Sequence, residues 1–356
     1  MSMIDSQQAA LDVAAVSAGD PGRQIDSVLG LPDQLRDAVW KAESADLGTW
    51  DSPPGLIVAG MGGSGIGGRL ARAIIADQAS RPIVSAGTYG LPPWTTADST
   101  VLCSSYSGET EETLACFEAA GVIGARRVVA TTGGRLAEQA RAEGVPVIPI
   151  AGGLQPRFAV AYLTIAALEV AAACGAGPRL RPELDVAAER LEELVAAWGP
   201  QAAEDNEAKQ LARALCGTVP IVMGAGLTAP IAYRWKTQIN ENAKQPSFSS
   251  ELPEADHNEI VGWCTAERYA RFSAVFLGDA DATPRIVERI ALTRELLESR
   301  AAGTHLLTTR GQTSVERVFS LVLLGDLMSV YLAILGGQDP EEIAVLNELK
   351  SRLSQA

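Results

Sequence analysis

Histidine is scarce in this chain, with only His257 and His305 among 356 residues. They lie far apart and without the H-x-x-H type of spacing that builds a zinc site, so no metal is expected. The five cysteines, Cys103, Cys116, Cys174, Cys216 and Cys264, are odd in number and lack a C-x-x-C pair. Scattered free thiols point to a reducing compartment, and a cytoplasmic location is expected. Basic blocks are also missing: 29 Lys and Arg face 43 Asp and Glu, for a net charge of −14. Such a chain repels a phosphate backbone, and nucleic acid is not an expected partner. No basic start followed by an apolar run marks a secretory signal. The apolar segment 158–174 contains Tyr162, Thr164 and Glu169 and reads as a buried helix rather than a membrane span, so no membrane partner is expected. No G-x-x-x-x-G-K-[ST] occurs, which leaves a P-loop nucleotidase unsupported.

What is abundant is apolar side chain, at 47%, and glycine, at 34 residues. That composition suits α/β architecture, and the length exceeds one ordinary core, so two domains are expected. Residues 24–47 show helical apolar spacing. The run Leu56-Ile57-Val58-Ala59 then enters Gly60-Met61-Gly62-Gly63-Ser64-Gly65, with a helical stretch at 66–76. Strand, Gly-rich turn and helix form the first unit of a parallel sheet. Further strands are predicted at 83–86, 101–104, 127–131 and 145–149. A second copy begins at Pro220-Ile221-Val222-Met223-Gly224-Ala225-Gly226, with a helix at 229–243. Strands at 274–277 and 304–307 alternate with helices near 283–301 and 314–335, and an acidic helix at 183–198 joins or braces the halves.

The two Gly-rich turns match the dinucleotide fingerprint G-x-G-x-x-G/A, but the strand at 83–86 runs into Gly87-Thr88-Tyr89 without the acid that would bind a ribose. The stretch Cys103-Ser104-Ser105-Tyr106-Ser107-Gly108-Glu109-Thr110-Glu111-Glu112-Thr113 is more informative. It puts hydroxyls where a strand ends and a helix starts, and free N–H groups there can hold an anion. Ser105, Ser107 and Thr110 either surround a phosphate or simply cap a helix. Glu241 ends a helix that Pro246 helps stop, as a general base or as a solvated partner of Lys244. His257 sits in a loop-like segment, 252–263, and is either a proton-transfer group or a solvated side chain. His305 is expected to satisfy a local hydrogen bond.

Over residues 25–355 the chain resembles the bifunctional phosphoglucose/phosphomannose isomerases, built from two sugar isomerase (SIS) domains. Gly60 to Gly65 looks like that family's first Gly-rich turn, and Ser105-Tyr106-Ser107-Gly108-x-Thr110 like its phosphate loop. Pro156-Arg157 sits where the family has an active-site arginine. Asn240-Glu241-Asn242-Ala243-Lys244 followed by Pro253-Glu254-x-x-His257-Asn258-Glu259 matches its most specific pieces.

The resemblance implies two SIS domains, each a parallel sheet flanked by helices, at 25–180 and 201–335. A helical connector at 181–200 and a C-terminal helix at 336–356 returning to the active site complete that division. It implies interconversion of glucose 6-phosphate or mannose 6-phosphate with fructose 6-phosphate through an enediolate, without a cofactor. Glu241 is then the base, Arg157 stabilises the enediolate, and His257 and Lys350 assist ring opening. Ser64, Ser105, Ser107 and Thr110 hold the phosphate, aided by the backbone of Gly62 and Gly63. Glu109 stands where the family often has Asn, so its carboxylate must turn away from a bound phosphate. A homodimer is implied, with His257 serving the neighbouring subunit's site. The alternative is a non-catalytic SIS protein that binds a sugar phosphate as a regulator.

Overall fold

A computed structural model describes residues 9–353 and residue 355. The chain divides into two compact units: Gly30–Glu192 with Arg310–Phe319, and Met1–Leu29 with Glu193–Thr309 and Ser320–Ala356. Two short helices, α1 (Val13–Gly19) and α2 (Gln24–Leu29), precede α3 (Leu31–Ser44). The spacing at 24–47 suggested one helix, but Gly30 interrupts it and Pro32 starts the next. Proline fits the first helical turn because its missing N–H has no intrahelical acceptor there.

The unit beginning at Gly30 holds β1 (Leu56–Ala59), α4 (Gly62–Ile74), β2 (Ile83–Ala86), β3 (Thr100–Ser104), α5 (Glu111–Ile123), β4 (Arg126–Thr131), α6 (Gly134–Ala142), β5 (Val147–Pro149) and α7 (Val160–Ala173). The strands form one parallel sheet in the order β2-β1-β3-β4-β5. Every residue of β1 and β3 is buried, as a parallel sheet covered on both faces requires. Alternation sends Ile57 and Ala59 into a cluster with Leu114, Phe117, Leu136 and Ala140 from α5 and α6. Val58 points the other way, where Gly68 of α4 seats on it. Helix α7 is buried almost throughout, and its Glu169 is ion-paired with Arg179 at 2.9 Å.

After α8 (Arg181–Trp198) and α9 (Glu207–Leu215), the other unit's sheet contains β6 (Val219–Ala225), β7 (Phe248–Leu252), β8 (Phe272–Gly278) and β9 (Gly303–Thr308). Its helices include α10 (Ala229–Ala243), α11 (Pro284–Leu297), the part from Ser320 onward of α12 (Ser314–Leu335), and α13 (Ala344–Leu353). The parallel order is β7-β6-β8-β9, the same arrangement as the first four strands of the other sheet. Strand β7 has no apolar run to announce it: Phe-Ser-Ser-Glu-Leu is an edge strand with only Leu252 buried. Met223, Phe276, Ile290 and Leu297 build a core on the α11 face. Helix α12 is long and apolar enough to cross a membrane, and nearly all of it is buried in the fold.

In both sheets the chain leaves the first strand toward one side and returns on the other. The carboxyl ends of β1 and β3 therefore flank a switch point, where an open α/β sheet has a crevice for ligands.

Candidate active site

The Gly-rich turn and the hydroxyl-rich loop occupy the switch point of the first sheet. Helix α4 begins inside the turn, at Gly62, earlier than the apolar spacing suggested. Its N-cap, Met61, supplies no side-chain acceptor, so the first N–H groups of Gly62 and Gly63 have no intrahelical partner and lie at the positive end of the helix dipole. Gly62 has φ of +50°, which favours glycine. Gly63 is needed for a different reason: a Cβ there would lie 2.9 Å from Pro156 O and 3.1 Å from Arg157 Cα. The turn thus rests directly on the backbone that carries Arg157. Ser64, 7% exposed, accepts the Tyr106 N–H at 3.0 Å and ties the turn to the loop after β3.

Within that loop Ser105 is fully buried; its Oγ accepts the Gly108 N–H at 3.1 Å and lies 2.8 Å from Thr110 Oγ1. Thr110 occupies the N-cap position of α5 but makes no side-chain cap bond. Simple capping therefore explains its position and not its bonding. Ser107 is exposed, with Oγ accepting the Glu109 N–H at 3.2 Å. Glu109 turns its carboxylate to the N-terminus of α6, where it accepts the Arg135 N–H at 2.8 Å. Two helix N-termini and a cluster of hydroxyls remain, a combination that suits a phosphate dianion. The equivalent stretch after β8 carries Asp279 and Asp281, which would repel one.

Arg157 lies in the 3-10 turn Pro156–Phe158, 3% exposed, with its guanidinium 5.2 Å from the Phe158 ring centroid. A buried guanidinium on a segment that abuts the Gly-rich turn is a group able to stabilise negative charge on an oxygen. Sequence reasoning passed over Tyr106, whose hydroxyl accepts the Leu154 N–H at 2.8 Å. Its position inside the serine loop was the only available signal.

The other unit carries Glu241, His257 and Lys350. Glu241 is half-buried in the last turn of α10. That helix is held along one side: Gln238 donates to Asp326 at 2.8 Å, Asn242 to Ser329 at 2.8 Å, and Trp235 to the Leu321 carbonyl at 2.7 Å. Arg234 pairs with Asp326 beside them, both buried. The Lys244 ammonium donates to the carbonyls of Asn242 and Asp339.

The segment read as a loop is instead two 3-10 stretches, Glu254–His257 and Glu259–Arg268. Asp256 pins it to α11 by accepting from Thr293 at 2.9 Å and pairing with Arg289 at 3.2 Å. His257, next to that anchor, is exposed. Lys350 is exposed on α13, a helix with no buried residue. His305 does not make the local bond expected of it: its Nε2 is buried without a hydrogen-bond partner. Among the described residues no group of three His, Cys, Asp or Glu side chains is placed to hold a metal.

Residues 204–353 match the family model of the bacterial phospho-glucose isomerase C-terminal SIS domain. A bifunctional phosphoglucose/phosphomannose isomerase of Caldicellulosiruptor bescii is 35% identical over 93% of this chain and 98% of its own length. Its counterpart in Aquifex aeolicus is 34% identical over 85% of this chain and 91% of its own. The fold is similar to that of a glucose-6-phosphate isomerase like protein from Thermus thermophilus, with a TM-score of 0.64, 21% identity and coverage of 97% and 99%. A chain with this identity over nearly its whole length, with SIS-type sheets and a hydroxyl-lined loop beside a Gly-rich turn at the first switch point, belongs to the bifunctional phosphoglucose/phosphomannose isomerase family.

Proposed function

We propose that this protein interconverts glucose 6-phosphate and mannose 6-phosphate with fructose 6-phosphate, as a cytoplasmic homodimer. The observation that carries the reading is the Ser64, Ser105, Ser107 and Thr110 cradle at two helix N-termini, in a chain 35% identical to such an isomerase along 93% of its length. An aldose–ketose exchange needs an anchor remote from the reacting carbons, one positioned base and a cation for charge on oxygen.

In the proposed reaction the cradle and the Gly62 and Gly63 N–H groups hold the phosphate. His257 and Lys350 help open the ring, His257 acting in the neighbouring subunit's site. Glu241 takes the proton from C2 of the open aldose and returns it to C1, while Arg157 stabilises the enediolate between the two transfers. Both C2 epimers lose their configuration in that planar intermediate, so one base can serve glucose and mannose phosphates alike.

A coupled assay with glucose 6-phosphate and mannose 6-phosphate, supplied separately and read as fructose 6-phosphate, tests the proposal. Turnover of both supports it. Binding of either sugar without turnover would instead identify a sugar-phosphate-sensing regulator.

A further inference from the structure

Tyr106 touches three other segments of the first-sheet unit through distinct atoms. Its N–H donates to Ser64 Oγ of the Gly-rich turn at 3.0 Å. Its carbonyl accepts from the Thr132 N–H at 3.0 Å and from Thr132 Oγ1 at 2.7 Å, beyond the end of β4. Its side chain crosses to the loop before Arg157 and accepts the Leu154 N–H at 2.8 Å. The residue itself belongs to the serine loop. The backbone bonds need no particular side chain; the bond to Leu154 needs a hydroxyl.

The Leu154 bond matters because Arg157 lies only three residues further along the chain. No regular secondary structure intervenes between Leu154 and the short Pro156–Phe158 turn. The same turn is backed by Gly63, a Cβ on which would lie 2.9 Å from Pro156 O. The chain around Arg157 thus has two supports, the bare surface of Gly63 against Pro156 and Arg157 and the Tyr106 hydroxyl at Leu154. Both belong to the segments that form the anion cradle.

We propose that Tyr106 is a positioning residue that couples the phosphate cradle to Arg157. The inference rests on the isomerase reading above, since it assigns Arg157 a task at the reacting oxygens. Occupancy of the cradle by phosphate orders the serine loop, and the Tyr106 hydroxyl transmits that order to the Leu154–Arg157 strap. Without it, the phosphate still binds, and the segment that carries Arg157 loses the hold that sets where the guanidinium meets developing charge.

The test is Tyr106→Phe, which keeps the ring and removes the acceptor. For the isomerase reaction kcat is expected to fall by about tenfold or more, below the ~10²-fold that a misplacement near 1 Å costs, while KM stays close to wild type. Arabinitol 5-phosphate, which offers a phosphate but no enediolate, should bind unchanged. The hydroxamate of arabinonic acid 5-phosphate, which mimics the enediolate, should bind more weakly by a factor similar to the loss in kcat. Amide exchange at Leu154 should rise while Gly108 in the serine loop stays protected.

Unchanged kcat, or weakening of both ligands by the same factor, overturns the coupling. If the wild-type protein proves not to isomerise, the functional reading fails by itself. Exchange then judges the latch: lost protection confined to the Leu154–Arg157 strap upholds it, and unchanged protection there overturns it.

Discussion

The carboxylate of Glu109 accepts the backbone N–H of Arg135 at 2.8 Å, so the acidic residue in the middle of the serine loop serves the N-terminus of the next helix. A negative side chain between two hydroxyls proposed to bind phosphate would otherwise oppose the ligand. Here the dipole of α6 receives it. Glu109→Ala is expected to cost no more than ~1 kcal/mol of stability, the scale of a lost helix cap. KM for hexose 6-phosphate should not rise. Thermal unfolding and initial rates check both, and a large increase in KM would show that Glu109 supports the ligand directly.

Glu241→Gln preserves shape and hydrogen-bonding reach but cannot accept a proton. The isomerase rate should fall by at least the ~10²–10⁴-fold typical of a lost general base. Binding of a sugar-phosphate analogue should persist, because the hydroxyl cradle is untouched. Solvent deuterium should enter C2 of recovered aldose phosphate with the wild type and not with the variant. Near-normal turnover by a folded variant would make Glu241 structural.

His257 stands exposed beside an anchored Asp256, a placement compatible with service to a second subunit. Mixing Glu241→Gln and His257→Ala proteins under conditions of subunit exchange should restore activity through complementing heterodimers. Demonstrated exchange with no recovered activity would sink the shared-site proposal.

Burial holds the His305 imidazole below its ordinary value, with Arg294 acting in the same direction. The folded protein therefore binds fewer protons at this side chain than the unfolded chain does. Stability from the neutral group is complete above about pH 6.5 and is lost as the pH falls toward the depressed folded value. His305→Gln should remove that component and flatten the stability curve below about pH 6.5, by less than ~1.4 kcal/mol per pH unit. Denaturant unfolding at a series of pH values measures it. Identical slopes for variant and wild type would rule out this origin.

Much of the architecture was legible because its signals are local. A run such as Leu56 to Ala59 ending in glycines can only be a buried strand entering a tight turn, and helix α12 announced itself by composition over its whole length. The candidate roles of Ser105, Ser107, Thr110 and Glu241 come from the resemblance of their short stretches to family motifs, since residue types alone leave helix capping and a solvated ion pair open. Strand β7 was not, since an edge strand with one buried residue needs no apolar run and is held by its backbone pairing to β6. Nor was the 3-10 course of 254–268, which depends on α11 supplying Arg289 and Thr293 to Asp256.

The sequence by itself determined the two parallel α/β sheets and the residue types at the anion cradle, because apolar periodicity and glycine placement act within a few residues. Only the tertiary structure decided what those side chains do to one another. Thr110 turns from capping its helix to meet Ser105, Glu109 turns outward to Arg135, and Tyr106 reaches across to Leu154. Each of these outcomes depends on a partner brought near by folding, and a hydroxyl or carboxylate takes whichever donor or acceptor the packed chain puts within hydrogen-bonding distance.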